Sequence, residues 1–222
     1  AQARGDMSNE TMRKIESLGY LSLVDPRKAD PVEIVEIGGI NPADQKFFQH
    51  KLTKANNLIA GKKYDQSLVL IDKMLESDPK NKWLLLEKGS TYSLAGDSEK
   101  ARQTFLQILE LHADFVYALE KIAWLEFYEG NLDEAEDYCR KAINLYQNEP
   151  GMYELLAEIM VKRGNRADAK KMLQTALDIA PSDVGVLFSL GKLLQEEKNY
   201  VEARKYFEEV LRRSPDNIWV LN

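Results

Sequence analysis

Few residues in this chain carry the chemistry of a catalyst. It holds two histidines, His50 and His112, and one cysteine, Cys139. A metal or acid–base site needs several such groups to converge. The two histidines fall at different phases of the periodic pattern set out below, so they are not expected to meet. One cysteine excludes an intrachain disulfide and a cysteine-rich zinc site. Gly38-Gly39 is an isolated pair and reads as a turn, not a phosphate-binding loop. Asp133-Glu134-Ala135-Glu136-Asp137 reads as a solvated helix face. Arg4-Gly5-Asp6 and the sequon Asn9-Glu10-Thr11 are short strings that chance supplies easily. No catalytic constellation emerges, and no metal or cofactor is expected.

The elements that would position any site follow from composition and period. The 222 residues are 44% hydrophobic and 30% charged, a folded composition with formal net charge -6. That charge disfavours a nucleic-acid partner. The longest uncharged apolar runs resemble Trp83-Leu84-Leu85-Leu86, far too short to span a membrane. Ala1 at the first position reads as a processed form or a fragment.

The strongest signal is a repeat of 34 residues. Ala55, Gly89, Ala123, Ala157 and Gly191 form one column of small residues. Ser67, Ala101, Ala135, Ala169 and Ala203 form a second. Ile71, Phe105, Cys139, Leu173 and Phe207 form an apolar column, as do Met74, Ile108, Ala142, Ala176 and Val210. Gly96, Gly130 and Gly164 mark a common break, and Pro79, Pro181 and Pro215 close three units. Within residues 150–183, Tyr153, Leu156, Ala157 and Met160 share one helical face. After Gly164-Asn165, a second face follows at Ala169, Leu173 and Ala176. Each unit is therefore a helical hairpin whose small residues let two axes approach closely. A lone hairpin cannot bury its faces; stacking on neighbours does so. Cys139 sits in a core column and reads as a buried, inert thiol.

This pattern resembles the tetratricopeptide repeat family over residues 48–217. The matching residues are the small pairs, together with Gly89, Tyr92 and Phe105 in the second unit and Gly191, Ala203, Phe207 and Pro215 in the fifth. The resemblance implies an all-α fold: a right-handed superhelical solenoid of five hairpins at 48–81, 82–115, 116–149, 150–183 and 184–217. Lys51 and Lys54 depart from the pattern and suggest a polar first helix. Glu126 stands where an aromatic residue is common.

Residues 1–47 lie outside the period. Ser8 or Asn9 caps a predicted helix through Met12, Ile15 and Leu18, and residues 20–40 read as an extended connector. Asn41-Pro42 is a helix start. Residues 8–30, around Leu18-Gly19-Tyr20-Leu21-Ser22, resemble the C-terminal tail of bacterial sulfatase-type hydrolases that carry tetratricopeptide arrays. That resemblance implies an accessory domain of a larger enzyme in the periplasm or cell envelope; without it, the cytoplasm is expected. The hydrolase nucleophile motif Cys-x-Pro-x-Arg is absent, since Arg140-Lys141-Ala142 follow the cysteine. Residues 218–222 read as the start of a truncated or capping helix whose apolar end favours self-association.

The resemblance further implies that first helices line a concave face. Carried onto this sequence, that face comprises Trp83 and Leu86; Tyr117, Glu120, Trp124, Phe127 and Tyr128; Glu154 and Glu158; and Phe188 and Lys192. Gln49, Leu52, Asn56 and Ile59 extend it into the first unit. The helix holding Tyr117 to Tyr128 is apolar nearly all round, so it is expected to be covered by a ligand, the connector, another copy or ordinary intramolecular packing. The expected function is a non-catalytic scaffold that binds a peptide or helix with Trp and Tyr as anchors. Leu52 beside Asn56 argues against a clamp for acidic chaperone tails. Glu120, Glu154 and Glu158 favour a partner with apolar and basic residues.

Overall fold

The computed structural model describes residues 42–215, with side chains from Lys51 onward. Ten α-helices occur among them, with no strand: α1 (Pro42–Ala60), α2 (Tyr64–Leu75), α3 (Lys82–Leu94), α4 (Ser98–Leu111), α5 (Val116–Glu129), α6 (Leu132–Leu145), α7 (Pro150–Lys162), α8 (Arg166–Ile179), α9 (Val184–Glu196) and α10 (Tyr200–Arg213). Helix α1 begins at Pro42, as the Asn41-Pro42 signal predicts. The calls on residues 1–41 and 218–222 lie outside the described residues, as do the side chains of Gln49 and His50.

Consecutive helices pair as five antiparallel hairpins. The turn within each hairpin places one residue in the left-handed region. Gly96, Gly130 and Gly164 do so at φ 82°, 88° and 79°. Lys62 and Lys198 hold the equivalent places at φ 56° and 62°. The turn is thus common to all five units, although glycine marks only three.

The starts of α3, α8, α9 and α10 are capped by short polar side chains. Asn81 Oδ1 accepts from Trp83 N and Leu84 N at 3.1 Å each. Asp183 Oδ1 accepts from Gly185 N at 2.8 Å and Val186 N at 3.1 Å. Such caps satisfy amides that helix geometry leaves open.

The chain forms two compact bodies that divide between Leu111 and His112. In the first, α1 packs on α2, α2 on α3 and α3 on α4. Its core includes Ala55, Ile71, Leu84, Ala101, Phe105 and Ile108. Ser67 enters that core at a position that is alanine in the other units, and its hydroxyl donates to the Ala55 carbonyl at 3.1 Å. Lys54 is exposed, in keeping with a polar first helix.

In the second body, the hairpins α5–α6, α7–α8 and α9–α10 pack in series. The first helices also touch directly, α5 on α7 and α7 on α9, and so form one continuous layer. Cys139 Sγ donates to the Met152 carbonyl at 2.9 Å, tying α6 to α7. Burial raises its thiol pKa to about 12. Glu126 is buried, and Asn131 Nδ2 donates to its Oε2 at 2.6 Å. The acid tolerated at an aromatic position thus braces the α5–α6 turn instead of filling the core.

Candidate interaction face

The first-helix layer of the second body carries most of the site residues expected from the sequence. On α5, Trp124, Phe127 and Tyr128 form one aromatic cluster. Trp124 stacks on Tyr128 at 5.7 Å between centroids with 23° between planes. Phe127 meets Trp124 edge-on at 5.8 Å and Tyr128 at 5.6 Å. Lys162 Nζ, from the end of α7, sits over the Phe127 ring at 4.3 Å.

Burial separates these residues. Trp124 is 6% exposed and Phe127 4%, whereas Tyr117, in the first turn of the helix, is 46% exposed. Of the covers anticipated for this helix, intramolecular packing accounts for much of Trp124 and Phe127. The accessible aromatic surface here is Tyr117, with half-buried Tyr128 about three turns further along the same helix.

The three glutamates also differ. Glu120 Oε1 accepts from the neighbouring Lys121 Nζ at 3.1 Å. Glu154 is 8% exposed and accepts from Ser189 Oγ of α9 at 2.6 Å. Burial first, and then the charges of Asp183 and Glu158, raise its pKa to about 7, against the lowering effect of the Ser189 bond. Glu149, at the start of α7, is likewise pushed up by burial and then by Glu120. Glu158 is half-buried and makes no ion pair within the described residues. Glu154 therefore carries less negative charge near neutral pH than a count of carboxylates suggests.

Between α7 and α9 runs a small open cleft. Its walls are Glu158 and Val161 from α7 and Ser189, Lys192 and Glu196 from α9, with Ala157, Leu173 and Leu193 at its base. Phe188 turns instead towards Phe207 of α10, with ring centroids 5.9 Å apart. Trp83 and Leu86 belong to the first body, where Leu86 is buried and Trp83 half-buried.

The sequence reading passed over Ser189, which closes the contact to Glu154. Its signal lies in the period: Ser189 stands where the preceding unit has the fully buried Leu155. A hydroxyl at a core position implies an internal partner.

No group of His, Cys, Asp or Glu is arranged to hold a metal ion among the described residues. No helix among them is long and apolar enough to cross a membrane.

Serial hairpins sharing a left-handed turn and small-residue columns define an all-α helical-repeat protein. Sequence profiles of the tetratricopeptide repeat match residues 58–125, 116–149 and 155–218, and the chain belongs to that family. None of these matches reaches residues 8–30, so the hydrolase-tail resemblance gains no support. The curated proteins contain no match to the sequence. Among solved structures, MamA is similar with TM-score 0.60 at 21% identity, covering 74% of this chain and 96% of its own. PilF of Pseudomonas aeruginosa gives TM-score 0.68 at 18% identity, covering 78% of this chain and 79% of its own. YrrB, described as a tetratricopeptide-repeat protein with an unusual peptide-binding site, gives 0.55 at 16% identity, covering 77% and 88%. At these identities the likeness concerns the fold.

Proposed function

We propose that this protein is a non-catalytic interaction scaffold whose first-helix layer in the second body receives a peptide or helix with apolar and basic residues. Tetratricopeptide-repeat proteins bind protein and peptide partners, and YrrB offers a peptide site on the same fold. The observation that carries the finer reading is the cleft between α7 and α9, walled by Glu158 without an ion pair among the described residues. Exposed Tyr117 lies on α5 in the same layer. An apolar side chain fits against Val161 and the base of the cleft, and a basic one fits Glu158. Tyr117 and Tyr128 offer flat surface for a neighbouring anchor. A layer formed before binding loses little conformational freedom when it is occupied.

Selection of binders from a displayed library of randomised peptides tests this. The reading expects enrichment of sequences that mix apolar residues with Lys or Arg. It expects Glu158→Lys and Tyr117→Ala each to weaken the selected peptides by about tenfold, the effect of losing ~1.4 kcal/mol. Selected peptides that are acidic, or that bind both variants as they bind wild type, would overturn it.

A further inference from the structure

We propose that the α7–α9 junction is a proton-sensitive latch: the last hairpin, α9 and α10, is held firmly on its neighbour while the Glu154 carboxyl is protonated, and is loosened when it ionises. This goes beyond the binding reading and does not depend on any partner.

The geometry is that of a carboxyl enclosed at a repeat junction. Glu154 projects from α7, is 8% exposed, and is bridged to α9 through the Ser189 hydroxyl at 2.6 Å. The backbone of α9 covers the other side. A Cβ built on Gly185 would lie 3.6 Å from each Glu154 carboxyl oxygen and 3.2 Å from Asp183 Oδ1.

The charges around it are mostly of one sign. Asp183 at the start of α9 and Glu158 one turn along α7 both oppose its ionisation. From α5, Glu120 and Lys121 act on the neighbouring Glu149. Among the described residues, no Lys or Arg from α5, α6, α8 or α9 forms an ion pair with Glu154. A neutral acid bridged to a serine suits this enclosure; a carboxylate facing two others does not.

The sign follows from linkage. The ordinary Glu value is 4.5, and the folded protein raises it to about 7. Below pH 4.5 the acid is protonated in both states and the junction is at its most stable. As pH rises from 4.5 to about 7, opening exposes an acid that ionises more readily in water, so the open state gains. Above about 7 the loss is complete. One other carboxyl shifts the same way: burial, and then Glu120, raise Glu149 at the start of α7, so only the part of the response that Glu154→Gln removes belongs to the latch. Asp97, Asp168 and Glu209 are held below their usual range by hydrogen bonds from Lys100, Lys171 and Arg212, and they stay charged throughout this window.

The test is made on the full chain. Carbon-13 detection of labelled Glu side chains gives the Glu154 titration, assigned by its loss in Glu154→Gln. Amide exchange at pH 5 and pH 8, corrected for intrinsic rates, gives the opening of α9 and α10. The latch predicts a midpoint near 7. It predicts that opening grows on the order of 50- to 100-fold between the two pH values. Glu154→Gln, which keeps an amide beside Ser189, should fold and abolish most of that rise. Ser189→Ala removes a donor that favours the ionised form, so it should move the midpoint upward. A Glu154 midpoint below 5.5 would overturn the proposal. So would opening that is equal at both pH values, or that rises equally in Glu154→Gln. A binding failure in the library selection would leave these readouts unaffected.

Discussion

The ring of Phe105 occupies the space where a side chain at position 89 would begin: a Cβ on Gly89 would lie 2.5 Å from its Cε1 and 2.8 Å from its Cδ1. The same relation recurs in the last hairpin, where a Cβ on Gly191 would lie 2.7 Å from Phe207 Cε1. In the other three hairpins the first position is alanine and the second is Ile71, Cys139 or Leu173. The two columns trade volume at one helix crossing. Where the ring is large the opposing residue gives up its methyl, and where the side chain is smaller the methyl returns.

This exchange predicts the outcome of Gly89→Ala. Phe105 is fully buried and has no free side to move into. The variant should lose about 1–3 kcal/mol, the usual cost of overpacking a core. Adding Phe105→Leu reproduces the Ala157–Leu173 pair and should recover most of the loss. Urea denaturation of the two single variants and the double variant measures the coupling. Additive effects would show that the two positions do not share the space.

The hairpin turns give a prediction of opposite sign. Lys62 and Lys198 adopt the left-handed conformation that glycine fills elsewhere. A side chain in that conformation costs about 1 kcal/mol or more, partly offset by the entropy glycine adds to the unfolded chain. Lys198→Gly should therefore raise stability by about 0.5–1 kcal/mol, and Gly130→Ala should lower it by about 1 kcal/mol. Thermal melts of both variants settle the sign.

Cys139 should be inert in the folded protein. Burial raises its thiol to about 12, and its Sγ is engaged by the Met152 carbonyl. Iodoacetamide at pH 8 should label it only through unfolding, since the thiolate is the nucleophile. The labelling rate should therefore track global stability across the variants above. Rapid labelling of the native chain would contradict the packing described for α6 and α7.

Aromatic substitutions on α5 should separate packing from binding. Trp124→Ala removes a buried ring and should cost about 3–5 kcal/mol of stability. Tyr117→Ala removes a half-exposed ring and should cost under about 1 kcal/mol. Calorimetry gives the stability difference directly. Peptide affinity is informative at Tyr117 and ambiguous at Trp124, whose loss disturbs the scaffold itself.

The repeat was legible in the sequence because its columns are steric. Close crossing demands Ala or Gly at positions such as 157 and 169, and no solvent-facing role imitates that demand. The turn was only partly legible: glycine reveals a left-handed residue, but Lys62 and Lys198 adopt that conformation without any mark in their side chains. The stripe of candidate residues on the first helices was legible in position and not in state. Periodicity puts Trp124, Glu120 and Glu154 on one stripe. It cannot show that Trp124 packs against Phe127, that Glu120 pairs with Lys121, or that Glu154 reaches Ser189. Those depend on neighbouring elements and on which rotamer each side chain adopts.

The most direct test of the central claim is hydrogen–deuterium exchange of the full chain with and without a peptide from the library selection. The account predicts that protection concentrates in α5, α7 and α9, and that it is lost in Glu158→Lys. Protection confined to α6, α8 and α10 would place the partner on the second helices and contradict the assigned face.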